Sequence, residues 1–492
     1  TLTMAITMET LLDEAEALLT ANPVRPPRPD FPLPNDYEDS TPERLMILKD
    51  NGLKGRGWYT SQEISAGTVL MCAKPIVMVM DWEDPTENPV LTREYTDGDE
   101  EMSIENEVSG LSKLNEILLL ELLRVIARDS SIWTNKLSAL FPRTEELEAI
   151  DGWICTDDNV FLQFEELIRR IEQQTSLPEV VVKDLSKRLP LIVRYNVLSA
   201  ETMPELMVHP SPQQGYAALS GTCLYHLPSF FNHDSHPNAS RYAVGDVLWI
   251  VANQNVPEGV EVCISYLEHE VLCEPPSIRT LMLNMDFTEP ENDATAEEVH
   301  NEDEDGPDIP VVDTDVQNEI MQMDPMDRLC TIEKLTIQAL GEGLAIEGEE
   351  RESSMKGDEE VMDEITNNAP WFECDVQNLR ILKALTLDSL GQLEEAFSNW
   401  KESVTFCKSK LPPNDEALIV MLVQAAMCAL QLLKHQDEAR GLAAEALRVH
   451  SILFGGGVKR FRRRYRREFQ LALRPTYTSF TSPPDELWPL AN

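Results

Sequence analysis

The sequence predicts an α+β domain followed by an all-α domain, and three observations carry that expectation. Short strand patterns broken by glycine turns run onward from Leu53 and again from Ser240 to Tyr266. Between them lies a block of apolar residues at helical spacing, so the strand-rich segments read as one discontinuous domain around a helical insertion. Toward the C-terminus the pattern is helical, with two corresponding helix-pair turns 43 residues apart, measured from Ala396 to Ala439.

A chain of 492 residues has room for two or more cores. With 86 acidic against 41 basic residues the formal charge is -45, so the whole molecule repels nucleic acid and anionic membrane, and a polyanion partner needs a local basic patch. The nine cysteines include no C-x-x-C pair, which argues against a structural zinc site or a disulfide framework and fits a reducing compartment. The longest apolar run, Leu418 to Leu433, contains Gln424 and is too short to span a bilayer, so it reads as a buried helix. The first residues carry Glu9, Asp13, Glu14 and Glu16 and no basic residue before Arg25, the wrong charge for a targeting peptide.

In chain order, Met8 to Leu19 spaces Leu11, Leu12, Ala15, Leu18 and Leu19 as an amphipathic helix with Thr10 as its cap. Pro23 to Pro34 is a connector, because proline removes donors and restricts its predecessor. Gly55-Arg56-Gly57-Trp58-Tyr59, a turn at Ser65-Ala66-Gly67, and Thr68 to Met71 then read as strands. Glycines at 55 and 57 permit a backbone bend and close approach of a ligand, although a lone G-x-G is more often a plain turn. Asp81 to Glu107 is an acidic surface insertion, and Leu111 to Arg128, Phe161 to Gln174 and Val180 to Leu189 are helices.

The stretch Gly221 to Tyr266 organises the rest. Asn232-His233 and Pro237-Asn238 place amide and imidazole groups inside an apolar run, where each needs a partner or costs about 1 to 3 kcal/mol. Such a cluster is either a satisfied structural knot or a site. Ser240 to Val244 and Val247 to Ala252 flank Gly245-Asp246 as a hairpin, and Pro257-Glu258-Gly259 makes the next turn. Val260, Val262, Ile264 and Tyr266 then alternate along one face of a final strand. That alternation makes Tyr266 either a core tyrosine or a functional hydroxyl at a strand end.

Glu289 to Glu319 holds thirteen carboxylates with no Lys or Arg, an acidic linker expected to be loosely held. A second charged patch, Glu347 to Glu364, interrupts one or two helices expected between the acidic segment and the C-terminal part. Beyond it, Leu390 to Ala396 and His435 to Ala439 are turns of paired helices that resemble tetratricopeptide units, with small residues where helices approach closely. Lys459-Arg460-Phe461-Arg462-Arg463-Arg464-Tyr465-Arg466-Arg467 is either an import or polyanion-binding segment or a tail docked on the protein's own acidic surface.

In order and spacing, Lys54-Gly55-Arg56-Gly57, Ser65-Ala66-Gly67-Thr68, Asn232-His233 with Pro237-Asn238, and Gly259 leading to Ser265-Tyr266 resemble the SET domain of protein lysine methyltransferases. The resemblance spans about Leu53 to Phe287. With the helical C-terminal part it is similar to the SMYD branch. It implies a knotted β fold, S-adenosyl-L-methionine as cofactor, and a lysine side chain of a protein as substrate. By the same resemblance Lys54, Gly55, Arg56, Asn232, His233 and Phe287 bind the cofactor, Tyr266 is the catalytic tyrosine, and no metal is required. Three departures stand out. The cysteine that follows the Asn-His-Ser triplet in SMYD-type proteins is Ser235 here, and Asn284 to Asn292 holds none of the cysteines that complete that zinc site. The interleaved MYND zinc module is also missing, and Met285 stands where the family often supplies a second channel tyrosine.

The expected organisation is an N-terminal helix and connector over 1–45, a SET domain over 46–287 with its helical insertion at about 108–215, an acidic linker with room for helices over 288–367, tetratricopeptide-like helices over 368–456 and a basic tail over 457–492. The expected function is protein-lysine N-methylation in cytoplasm or nucleus, without membrane association and without nucleic acid except through the basic tail. The alternative is an inactive SET scaffold whose repeat helices bind peptide partners.

Overall fold

The computed structural model describes residues 7–21, 45–50, 55–80, 111–150, 152–153, 155, 157–202, 219–244, 247–267, 269–283, 312, 314–340 and 371–465. They divide into two compact units, one drawn from 27–233 and 238–264, the other from 1–26, 234–237 and 265–475. Helix α1 (Met8–Ala21) belongs to the second. Its cap is Thr7, whose Oγ1 accepts from the Thr10 amide at 3.3 Å, one turn earlier than the sequence placed it. Leu11, Leu12 and Ala15 form its buried stripe.

The first unit opens with β1 (Met46–Asp50), β2 (Arg56–Thr60), β3 (Val69–Ala73) and β4 (Val77–Met80). The insertion follows as α2 (Lys113–Arg128), α3 (Ser131–Asn135), α4 (Asp158–Gln174) and α5 (Glu179–Asn196). It is capped as its residues require: Ser112 Oγ accepts from the Asn115 amide, and the Asp157 carboxylate accepts from Asn159 and Val160. Helix α5 runs past Leu189 through Pro190, because Leu191, Ile192 and Val193 are buried and continue its apolar face. Then come β5 (Val197–Thr202), β6 (Leu219–Leu224), β7 (Asn232–His233), β8 (Ala239–Val244), β9 (Val247–Ala252) and β10 (Glu261–Ile264).

These strands form three small sheets, ordered β1-β2-β10-β7, β3-β9-β8 and β4-β6-β5. β1, β4, β5, β6 and the two-residue β7 have no counterpart among the expected strands. Met46-Ile-Leu-Lys-Asp has only Met46 buried, so alternation does not mark β1. β10 pairs antiparallel with β2 and parallel with β7, which places the two halves of the split domain side by side. The expected alternation through Tyr266 does not hold. Val262, Cys263 and Ile264 are all buried, since β10 is a central strand covered on both faces, whereas Val260 lies before the strand and is 38 % exposed. Tyr266 follows the strand's end in a bend and is half-buried.

The second unit continues with α6 (His269–Leu272), α7 (Pro276–Leu283), α8 (Thr314–Gln322) and α9 (Pro325–Ala339). After these come α10 (Glu373–Ser389), α11 (Leu393–Lys410), α12 (Glu416–Gln431), α13 (Gln436–Leu453) and α14 (Gly457–Arg464). From α9 to α14 each helix packs on its successor, and α1 lies against α13. Ala396, Ala439, Ala443 and Ala446 are fully buried where backbones approach. Within the acidic linker, Val312, Ile320, Ile332 and Leu335 join Leu379 and Leu382 in one core cluster, and the Val312 amide donates to Asp375 at 2.7 Å. The signal for α8 was the sparse Val312, Val316, Ile320 spacing, hidden among carboxylates.

The basic segment is likewise built in. Val458 and Phe461 of α14 are fully buried, Arg462 donates to Asp13 at 3.0 Å and to the Glu9 carbonyl, and Arg464 donates to Glu416 at 2.7 Å. Glu16 of α1 accepts from the Val458 amide and so caps α14. Of the two readings open for this segment, the geometry is that of docking on the protein's own acidic groups. The insertion Asp81 to Glu107 and the tail beyond Tyr465 lie outside the described residues.

Candidate cofactor site

The candidate site is built where β2, β10 and β7 meet. Antiparallel pairing sets Glu261 opposite Tyr59 and Val262 opposite Trp58, and parallel pairing sets Cys263 beside Asn232 and Ile264 beside His233. Gly55 turns into β2 with a positive φ of 71°, a conformation that costs a side-chain-bearing residue energy and glycine little. The Asn232 amide nitrogen donates to Glu261 Oε1 at 2.7 Å and, at 3.4 Å, to the Arg56 carbonyl. Gly57 makes this possible: a Cβ there would lie 2.3 Å from Glu261 Oε1 and 2.8 Å from Asn232 Nδ2.

Beneath this cluster, Trp58 Nε1 donates to the Leu227 carbonyl at 3.1 Å, and its ring lies 6.2 Å from that of buried Phe231. Asn238 ties the other side. Its Nδ2 donates to the Glu261 carbonyl at 2.8 Å and its Oδ1 accepts from the Cys263 amide at 3.0 Å, so one side chain adds two bonds to the β10 main chain beside its strand pairing. An asparagine suits that place because it offers both a donor and an acceptor.

The Arg56 side chain turns toward the helical insertion. It donates to the Ala139 carbonyl and lies over the Phe230 ring, 4.8 Å from the centroid. Burial, and then the charge of Arg143, lower its pKa from the ordinary arginine value. The loop that receives it is held from behind: Arg188, 3 % exposed, donates to Ser138 and Pro142 carbonyls at 2.8 and 2.9 Å, and Asn196 donates to the Phe141 carbonyl at 2.6 Å. Arg56 thus couples the strand start to the insertion.

Of the residues expected to bind cofactor, Gly55, Arg56, Asn232 and His233 come together here. Lys54 and Phe287, with Met285, lie outside the described residues. Tyr266 belongs to the other compact unit. In that unit Ser235, which stands at the expected zinc-cysteine position, is buried and accepts from Arg279 Nε at 3.1 Å, while Arg279 also donates to the Glu274 carbonyl. Glu261, Gly57 and Asn238 were missed as a working group, although Gly57 and Asn238 belong to the quoted motifs. Glu261 had no signal beyond its place in the strand before Tyr266.

Residues 55–267 match the SET domain. That match covers the whole of the cluster just described and ends one residue past Tyr266. No curated protein sequence matches the chain. Among solved structures, the SET domain of LSMT bound to lysine and AdoHcy aligns over 95 % of this chain and 94 % of its own, at 13 % identity and a TM-score of 0.25. Rubisco LSMT bound to sinefungin and monomethyllysine aligns over 94 % of both chains, at 14 % identity and a TM-score of 0.23. Scores this low lend the likeness no weight beside the SET match. Among the described residues no helix is long and apolar enough to cross a membrane.

Proposed function

We propose that the chain is an S-adenosylmethionine-dependent protein-lysine N-methyltransferase of SET type. The observation that carries the reading is the arrangement of the SET segment: Gly55, Arg56 and Asn232, distant in sequence, converge at one strand junction, with the amide of Asn232 locked by Glu261. The donor set fits the cofactor's amino-acid portion. Asn232 spends its N–H groups on protein acceptors, and among the described residues no donor reaches its Oδ1, which leaves an acceptor for an ammonium group.

On this reading Lys54, Gly55, Arg56, Asn232, His233 and Phe287 hold the cofactor, which supplies an electrophilic methyl carbon when bound. The chain's own task is to present a neutral amine, since a free lysine has a pKa of about 10.4 and an ammonium has no lone pair to donate. An apolar channel does so by desolvation, and the Tyr266 hydroxyl orients the nitrogen. The knotted path of the β segments, the assignment of the C-terminal helices as a tetratricopeptide-like array of SMYD type that binds protein segments, and residence in cytoplasm or nucleus belong to the same proposal.

The test is transfer of labelled methyl from S-adenosylmethionine to lysines of a proteome treated with the purified chain. The expected result is lysine methylation that falls at least tenfold in Tyr266→Phe, about 1.4 kcal/mol of transition-state stabilisation or more. Labelling that survives unchanged in Tyr266→Phe, or no labelling by a chain that binds the cofactor, overturns the enzymatic reading and leaves the scaffold.

A further inference from the structure

We propose that Glu261 is a positioning residue that fixes the polarity of the Asn232 amide, and that this polarity selects a cationic amine in the ligand. The inference deepens the methyltransferase reading and rests on it for the identity of the ligand. The two ends of an asparagine amide have nearly the same shape, so an unconstrained side chain presents either an acceptor or a donor. Here the choice is made by chemistry. An ionised carboxylate only accepts, so the end of Asn232 that lies 2.7 Å from Glu261 Oε1 must be its NH2. The Arg56 carbonyl, also an acceptor only, receives from the same nitrogen. Two acceptors at one end leave the oxygen at the other.

The surroundings are shaped for that contact. Gly57 has no Cβ where one would displace both partners. The strand bearing Glu261 is held independently, through its main chain, by Asn238 and by pairing with β2. Removing the Glu261 carboxylate leaves the Asn232 amide only its long 3.4 Å bond to the Arg56 carbonyl, too weak to fix its rotation, while β10 keeps its backbone bonds. A rotated amide offers N–H to the ligand, which suits a carboxylate or ether oxygen and repels an ammonium. Glu261 thus converts an ambidextrous side chain into a dedicated receptor for a positively charged donor.

The experiment titrates three ligands into the full chain and its Glu261→Ala and Glu261→Gln variants. They are S-adenosylmethionine, its decarboxylated form, which keeps the amine, and 5′-methylthioadenosine, which lacks it. Glu261→Ala is expected to weaken the two amine-bearing ligands by roughly 10- to 100-fold and the third by no more than about twofold. Glu261→Gln, whose amide oxygen still accepts from Asn232, is expected to recover most of that loss. Equal weakening of all three ligands would mean that Glu261 only supports the fold, and no weakening would mean that it does nothing; either overturns the proposal. The side-chain 15N–1H pair of Asn232 supplies a readout without ligand. It should shift in Glu261→Ala and stay near its wild-type position in Glu261→Gln, and an unmoved signal in Glu261→Ala refutes the lock. If the wild type binds none of the three, the methyltransferase reading fails and the amine selection with it, while the amide signal still decides whether Glu261 orients Asn232.

Discussion

Gly57→Ala isolates the cradle from the fold. The added Cβ would sit 2.3 Å from Glu261 Oε1, where ordinary contact begins at 3.4 Å, so the carboxylate must retreat by about 1 Å. The same Cβ would meet Asn232 Nδ2 at 2.8 Å, so the 2.7 Å bond between the two cannot survive in place. What yields is the end of a flexible side chain rather than backbone, and β2 keeps its pairing with β1 and β10. The lost charge-assisted hydrogen bond corresponds to about 1.5 to 3 kcal/mol in whatever depends on it, or roughly a 10- to 100-fold change in a binding constant. The variant should therefore remain folded, with a far-ultraviolet spectrum like wild type. Calorimetric titration should show S-adenosylmethionine binding weakened by that factor. Wild-type affinity in Gly57→Ala would refute the reasoning, because no arrangement of that Cβ leaves the Glu261 and Asn232 bond untouched.

Other consequences follow from the same geometry. Burial, with the charge of Asp157 beside it, pushes the Glu116 carboxyl up to about 7, above its unfolded value of 4.5. Its neutral form is favoured in the fold, so its contribution is not lost until pH rises from about 4.5 through 7. Glu116→Gln should thus stabilise the chain by on the order of 2 kcal/mol at pH 8 and change little at pH 4, as read by urea denaturation at both values. Glu416→Ala leaves the Arg464 guanidinium, 4 % exposed, without its carboxylate; a loss of about 3 kcal/mol is expected in the same assay, and a loss below about 0.5 kcal/mol would show the pair to be solvated. Asn238→Ala removes both side-chain bonds to β10 and should cost about 2 kcal/mol, with Asn238→Asp keeping only the acceptor to Cys263 and recovering part of it.

Where the sequence was legible, a local pattern and the tertiary result agreed. The leucine spacing of residues 111–128 gives α2, and Val247 to Ala252 gives β9, each close to its expected bounds. The order of glycine, Asn-His and Ser-Tyr motifs pointed to the SET segment, and the convergence of Gly55, Arg56, Asn232 and His233 follows from strand pairing. What stayed hidden depends on partners far away in the chain. β1 shows no alternation because it is an edge strand with one buried residue. Val260 and Tyr266 misled because an alternating pattern does not say where a strand ends or that both its faces are covered. Arg462 and Arg464 look like surface cations in sequence, and only the acidic groups of α1 and α12 explain their burial. Glu261 reads as one more acid in a chain that has 86; its meaning comes from an amide 29 residues earlier.

The measurement that tests the central claim most directly is calorimetric titration of S-adenosylmethionine into the wild-type chain and Asn232→Ala. The account predicts saturable binding to wild type, weakened by tenfold or more in the variant, about 1.4 kcal/mol. No heat of binding to a folded wild type at cofactor concentrations on the order of 1 mM, where even an affinity of about 4 kcal/mol registers, would contradict it.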